Sequence, residues 1–151
     1  MAFGGVLWRA MMHGESLTER VMGLFDMWRE ARGNVLRQQF DDAMMRLKGA
    51  NEPAMRAFFN NVEQTIEPLR EAYGPASPSE RKAILKHCRK SMNEMWDRGD
   101  WPSSLGLGIS CLNIESEHVP GEDAAYVKRE TDKIIGEATA FFEGERTASA
   151  R

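Results

Sequence analysis

Apolar residues recur three and four positions apart along most of this chain, the rhythm that gathers them on one face of a helix. Phe3, Val6, Leu7, Ala10 and Met11 make the first such stripe, an amphipathic N-terminal helix over residues 1–14 that Gly14 ends. "SLTE" at Ser16 to Glu19 then has the form of a capping box, in which a hydroxyl and a carboxylate each satisfy an unpaired backbone donor. From there Val21, Leu24, Phe25, Trp28, Val35, Leu36, Phe40, Met44 and Leu47 hold a helical rhythm as far as Lys48. Gly33-Asn34 is expected to bend or break this helix, since glycine costs about 1 kcal/mol there relative to alanine.

In "GANEP", Asn51 is the cap and Pro53 falls in the first turn, where its missing N–H costs nothing. Met55, Phe58, Phe59, Val62, Ile66 and Leu69 form the next stripe, with a kink expected at Pro68. "YGPASPSE" places Ser77 as cap, Pro78 at the first helical position and Glu80 at the third, which predicts a helix start there. That helix runs to about Arg98 and buries Ala83, Ile84, Cys88, Met92, Met95 and Trp96. A last helix from about Glu122 to Glu143 offers Ala125, Val127, Ile134, Ile135, Ala138, Phe141 and Phe142, and residues 144–151 read as a flexible tail.

Between the last two helices lies "GDWPSSLGLGISCLNIESEH", where the pattern is ambiguous. Leu105, Leu107, Ile109 and Cys111 alternate with small residues as in a strand, but a lone strand has no partner in this chain. The helical alternative gives Asp100 as cap and Pro102 in the first turn, with Leu105, Ile109 and Leu112 on one face and Gly106 and Ser110 on an adjacent row. A buried central helix is favoured over an irregular loop, on condition that neighbours pack closely enough to offset two glycines. The fold class is therefore all-α: one domain over residues 1–143, a bundle-like array of five or six helices.

Composition narrows the function without naming it. A net charge of −3 and a pI near 5.7 supply no global attraction to nucleic acid or anionic membrane. The apolar N-terminus lacks the ordered regions of a signal peptide, and no run approaches the roughly 18 apolar residues of a membrane span. Two cysteines are too few for a disulfide framework, which fits a reducing cytoplasm. Glycine loops for phosphate, G-x-S-x-G, H-E-x-x-H and C-x-x-C are all missing, so nothing nominates an enzyme and no organic cofactor is expected.

Three local features remain. The decapeptide "RKAILKHCRK" holds Arg81, Lys82, Lys86, Arg89 and Lys90 without an acid, and Lys82, Lys86, Arg89 and Lys90 share a helix face opposite Ile84, Cys88 and Met92. That face suits an acidic partner or phosphate, although no nucleic-acid motif accompanies it. The stripe of Phe3, Val6, Leu7 and Met11 suits docking on a partner or on a second copy of the chain, and its single cation argues against lipid. Cys111, Glu115 and His118 stand at i, i+4 and i+7, and Glu115 to His118 has the E-x-x-H spacing of carboxylate-bridged di-metal bundles, without the second such motif those need. The leading expectation is a helical interaction or adaptor protein without catalytic activity that self-associates or binds a protein partner. The alternatives are a metal-binding bundle and a nucleic-acid adaptor acting through the basic face.

Overall fold

The computed structural model describes residues 17–149, which form five helices: α1, Leu17–Leu47; α2, Glu52–Tyr73; α3, Pro78–Asp97; α4, Trp101–Ser116; and α5, Glu122–Ser149. No strand occurs among the described residues, and the all-α array expected from periodicity is what the chain forms. The caps follow the sequence signals. Asn51 accepts a hydrogen bond from the Ala54 N–H at 3.0 Å, and Ser77 and Glu80 make a reciprocal capping box at the start of α3. At the start of α4 the Asp100 carboxylate accepts from the Ser103 N–H at 3.3 Å. Gly99 precedes it at φ +81°, a left-handed turn that glycine adopts without steric cost and that folds α4 back along α3.

Two expectations about helix ends are corrected. Gly33 neither bends nor breaks α1, which is continuous through it. The glycine is buried, with Pro120, Asp123 and Ala124 packed alongside at ordinary contact distance, so tertiary contact overrides the propensity cost. The last helix continues past Glu143 to Ser149 because Glu145 pairs with Arg56 and Arg146 reaches Glu63 on α2 at 3.4 Å. The N-terminal stripe of residues 1–14, and Ser16 of the first capping box, lie outside the described residues.

The centre of the array is α4. It packs against each of the other four helices, most extensively against α2. Twelve of its sixteen residues are buried, including Ser104, Asn113, Glu115 and Ser116. Gly106 is what lets α2 come so close: a Cβ there would sit 2.8 Å from the Phe58 carbonyl oxygen and 2.9 Å from the Asn61 Cβ. One turn on, the Thr65 hydroxyl donates to the Asn61 carbonyl at 2.7 Å and meets the Ser110 hydroxyl at 2.7 Å, so the small residues of α4 also satisfy one another's polar groups across the contact. The buried helix favoured by the sequence is thus observed, and its glycines and serines are its packing surface.

Apolar packing is arranged in two clusters. One joins Leu36, Phe40 and Ala43 of α1 to Phe58 and Val62 of α2, Ile109 and Leu112 of α4, and Val127 and Ala138 of α5. The other joins Ile66, Leu69 and Tyr73 to Cys88 and to Leu107, Cys111 and Ile114. Full burial of a side chain such as Phe58 or Ile109 contributes about 1.5–3 kcal/mol, so these clusters supply much of the driving force. Three residues assigned to the core by spacing are instead exposed, Ala83, Trp96 and Ala125, and Trp28 and Val35 on the rhythm of α1 are exposed too. Val35, one residue before the buried Leu36, points about 100° round the helix from it, and Trp28 is exposed for a different geometric reason. The end of α4 and the start of α5 lie level with Arg32 and Gly33, through the Arg32–Glu115 ion pair and the Gly33 contacts, so the preceding turns of α1 lie beyond both helices. None of the described helices is long and apolar enough to cross a membrane.

Candidate functional site

Two features stand out above the helical framework. The first is a stripe on the N-terminal half of α1. Leu24 is half-buried, while Trp28, Ala31 and Val35 are exposed, with Trp28 at 66% of its possible surface and Val35 at 42%. Their spacing of four, three and four residues is that of the apolar seam of a coiled coil, and in sequence Val21 and Leu17 extend it with the same alternation. Met27, 62% exposed, borders the stripe. Large apolar side chains left in water at regular helical spacing mark a contact surface, because single scattered ones do not repeat in register.

The second feature is a cleft of about 260 Å³ that α1 and α3 flank and α4 floors. Arg32, Asp42 and Arg46 line it from α1, Arg89 and Met92 from α3, and Gly108 and Leu112 from α4. Glu115, almost fully buried, pairs with Arg32, which leaves the charge at that end balanced. Arg46 stacks on the Trp96 ring at 4.6 Å to its centroid and holds one wall. At the bottom Cys88 and Cys111 are both buried and both free, and they share one apolar cluster. Hydrogen bonding between the two thiols lowers the Cys88 thiol to about 7 against the opposing effects of burial and of Glu115. The same bond, together with burial, pushes the Cys111 thiol up. Cys88 is therefore the more acidic thiol of the two.

The proposed basic face is only partly as the sequence suggested. Lys82, Lys86, Arg89 and Lys90 are exposed, and no carboxylate among the described residues forms an ion pair with them. Arg81 is spent elsewhere. Its guanidinium donates to the Tyr73 carbonyl at 3.0 Å and the Gly74 carbonyl at 2.7 Å and lies over the Tyr73 ring, closing the turn between α2 and α3.

The row of Cys111, Glu115 and His118 does not assemble as a metal site. Helix α4 ends at Ser116 with Glu117 as its cap, so the i+7 register does not reach His118. Cys111 is taken up by Cys88, Glu115 by Arg32, and the His118 ring packs on Tyr73 with centroids 5.4 Å apart. Burial and the charge of Arg81 lower the His118 pKa, which opposes the charged form expected of a histidine at a helix end. No group of three His, Cys, Asp or Glu suited to a metal ion occurs among the described residues. The docking residues Phe3, Val6, Leu7 and Met11 lie outside the described residues.

Sequence reasoning missed the thiol pair, although a signal was present. Cys88 precedes Gly99 by as many residues as Cys111 follows Asp100, and an antiparallel helix pair turning there brings the two level. It also missed the polar cluster between α4 and α5, where the fully buried Asn113 amide donates to the Thr131 hydroxyl at 2.7 Å and to the Asp132 carboxylate at 2.9 Å. Lys128 joins it through Glu117 at 2.6 Å and Asp132 at 3.0 Å. Every member of that cluster has partners within it, which marks it as architecture that fixes α5 on α4. Compared with protein-family models, with curated proteins and with solved structures, the chain matches none of them.

Proposed function

We propose that this is a helical interaction protein that pairs with a second copy of itself along the N-terminal half of α1. The observation that carries this reading is the exposure of Trp28 within a stripe of seam spacing, Leu24, Trp28, Ala31 and Val35. A second copy is the favoured occupant because one stripe set against its twin by a two-fold axis is self-complementary, and knobs-into-holes packing needs this same repeat on both partners. The exposed Lys82, Lys86 and Lys90 lie on another helix and offer an acidic partner a second surface. The reducing cytoplasm is the compartment we assign, on the ground that helix packing and caps, without a disulfide framework, organise the fold.

The test is mass against concentration. Sedimentation equilibrium on the full chain should give twice the 17.1 kDa chain mass at high concentration, and Trp28→Glu should return it to 17.1 kDa with unchanged helical circular dichroism. A wild-type chain that stays at the monomer mass throughout the dilution series overturns the pairing and assigns the stripe to some other occupant. A dimer that survives Trp28→Glu overturns the location.

A further inference from the structure

We propose that Cys88 and Cys111 form a thiol–disulfide exchange site, Cys88 as attacking thiol and Cys111 as resolving thiol, whose substrate is a small disulfide bearing carboxylates. The inference is independent of pairing along α1. It rests first on placement: two free cysteines from adjacent antiparallel helices share one apolar cluster and line the same open cleft. Structural cysteines of a helical core gain nothing from such a meeting, since each behaves there as a small apolar side chain. Exchange chemistry, by contrast, needs a thiolate that a substrate can reach with a second thiol nearby, and both cysteines, each 8% exposed, line the open cleft.

The walls select the substrate. Arg32, Asp42 and Arg46 face the pair from α1, Arg89 from α3 and Glu115 from α4. With Arg32 engaged by Glu115, two guanidiniums remain against one carboxylate, so the mouth is net cationic and draws an anionic molecule. A cleft of about 260 Å³ admits the central S–S unit of a small molecule rather than a folded protein's disulfide.

In the first step the Cys88 thiolate attacks one sulfur of the disulfide R–S–S–R. A Cys88–S–S–R bond forms, the original S–S bond breaks, and the first thiolate leaves and takes a proton from water equal to the one Cys88 gave up. Cys111 then attacks the Cys88 sulfur, its proton passing to the second departing thiolate. The two protein thiols have lost two hydrogens to a disulfide, and R–S–S–R has become two R–SH. Buried, electron-rich Cys111 stays protonated until that moment, which keeps it from competing as the first nucleophile.

The experiment uses the full folded chain and oxidised glutathione, followed by alkylation, intact mass and peptide mapping. The expected result is a mass lower by one hydrogen molecule and a linked peptide joining Cys88 to Cys111. The rate should climb from pH 6 to pH 8 and pass half its maximum near 7, as the Cys88 thiolate forms. Cys111→Ser should stop at a glutathione adduct on Cys88, and Cys88→Ser should form neither product. Cystamine, a cationic disulfide, should react about tenfold more slowly at low salt. Thiols that stay intact in the folded wild type and react only after unfolding overturn the site, a result that needs no variant to fold. An adduct on Cys111 formed at the wild-type rate in Cys88→Ser overturns the assignment of roles, and cystamine reacting as fast as oxidised glutathione overturns the acidic substrate.

Discussion

In the C-terminal half of α1, Leu36, Phe40 and Ala43 are closed over by Phe58, Ile109, Leu112 and Val127; in the N-terminal half, Leu24, Trp28, Ala31 and Val35 keep the same three-and-four spacing, and Trp28 and Val35 face water. One helix thus carries two apolar stripes with different fates. The difference is set by what lies opposite. Helices α4 and α5 meet α1 from Arg32 and Gly33 onward and on the side of Leu36, so that stripe finds a core, whereas Trp28 lies before their reach and Val35 points about 100° round the helix from Leu36. Spacing reports that a helix has an apolar face; the position of other elements decides what that face touches.

Substitutions can test how deep this difference goes. Phe40→Ala, in the covered half, should cost about 3–5 kcal/mol, because a large side chain 4% exposed leaves a cavity that its neighbours fill only in part. Denaturant unfolding measures it, and a cost below that of a surface change would show the two halves to be alike. Gly106→Ala examines the layer that covers Phe40's cluster. Its new Cβ would press on the Phe58 carbonyl and the Asn61 side chain, so a loss of about 1–3 kcal/mol is expected by the same assay.

Gly33→Ala examines the boundary between the halves and should act in the opposite direction. A Cβ there comes no nearer than 3.5 Å to Ala124 N, which is ordinary contact, so the gain in helix propensity of up to about 1 kcal/mol should appear as higher stability. The smallest effect belongs to the open half. Trp28→Glu, the variant that should dissolve the dimer, should change the stability of the diluted monomer by no more than about 0.5 kcal/mol. A large loss there would mean that Trp28 is held by its own chain.

Much of the fold was legible in the sequence, and the reasons are local. Asn51, Ser77 and Asp100 act as caps because capping is decided within one turn, by residues a few positions apart. Even α4 was legible, since its small residues sit on the row that a close neighbour requires. What escaped depends on long-range placement. Gly33 looked like a break because its partners, Pro120 to Ala124, are far along the chain. Trp96 looked like core because periodicity carries no label for solvent, and the rhythm through Trp28 and Val35 carries none either. Arg81 looked like part of a basic face until two carbonyls at the end of α2 claimed it. The row from Cys111 to His118 failed as a ligand set because α4 ends before His118, and boundaries are where spacing arguments are weakest.

The composition of α4 has a consequence for the order in which the molecule assembles. A segment with two glycines and four serines nucleates poorly by itself, and helices of sixteen residues are marginal in water even with better sequences. Its helix forms when α2, α3 and α5 supply the walls, which couples the last-made local structure to the earliest-needed contacts. Folding is therefore concerted, with no stable intermediate that keeps α4 helical while its walls are absent. By the same coupling the backbone amides of α4 exchange with water only when the whole array opens, so the segment least able to fold alone becomes the slowest to be seen by solvent.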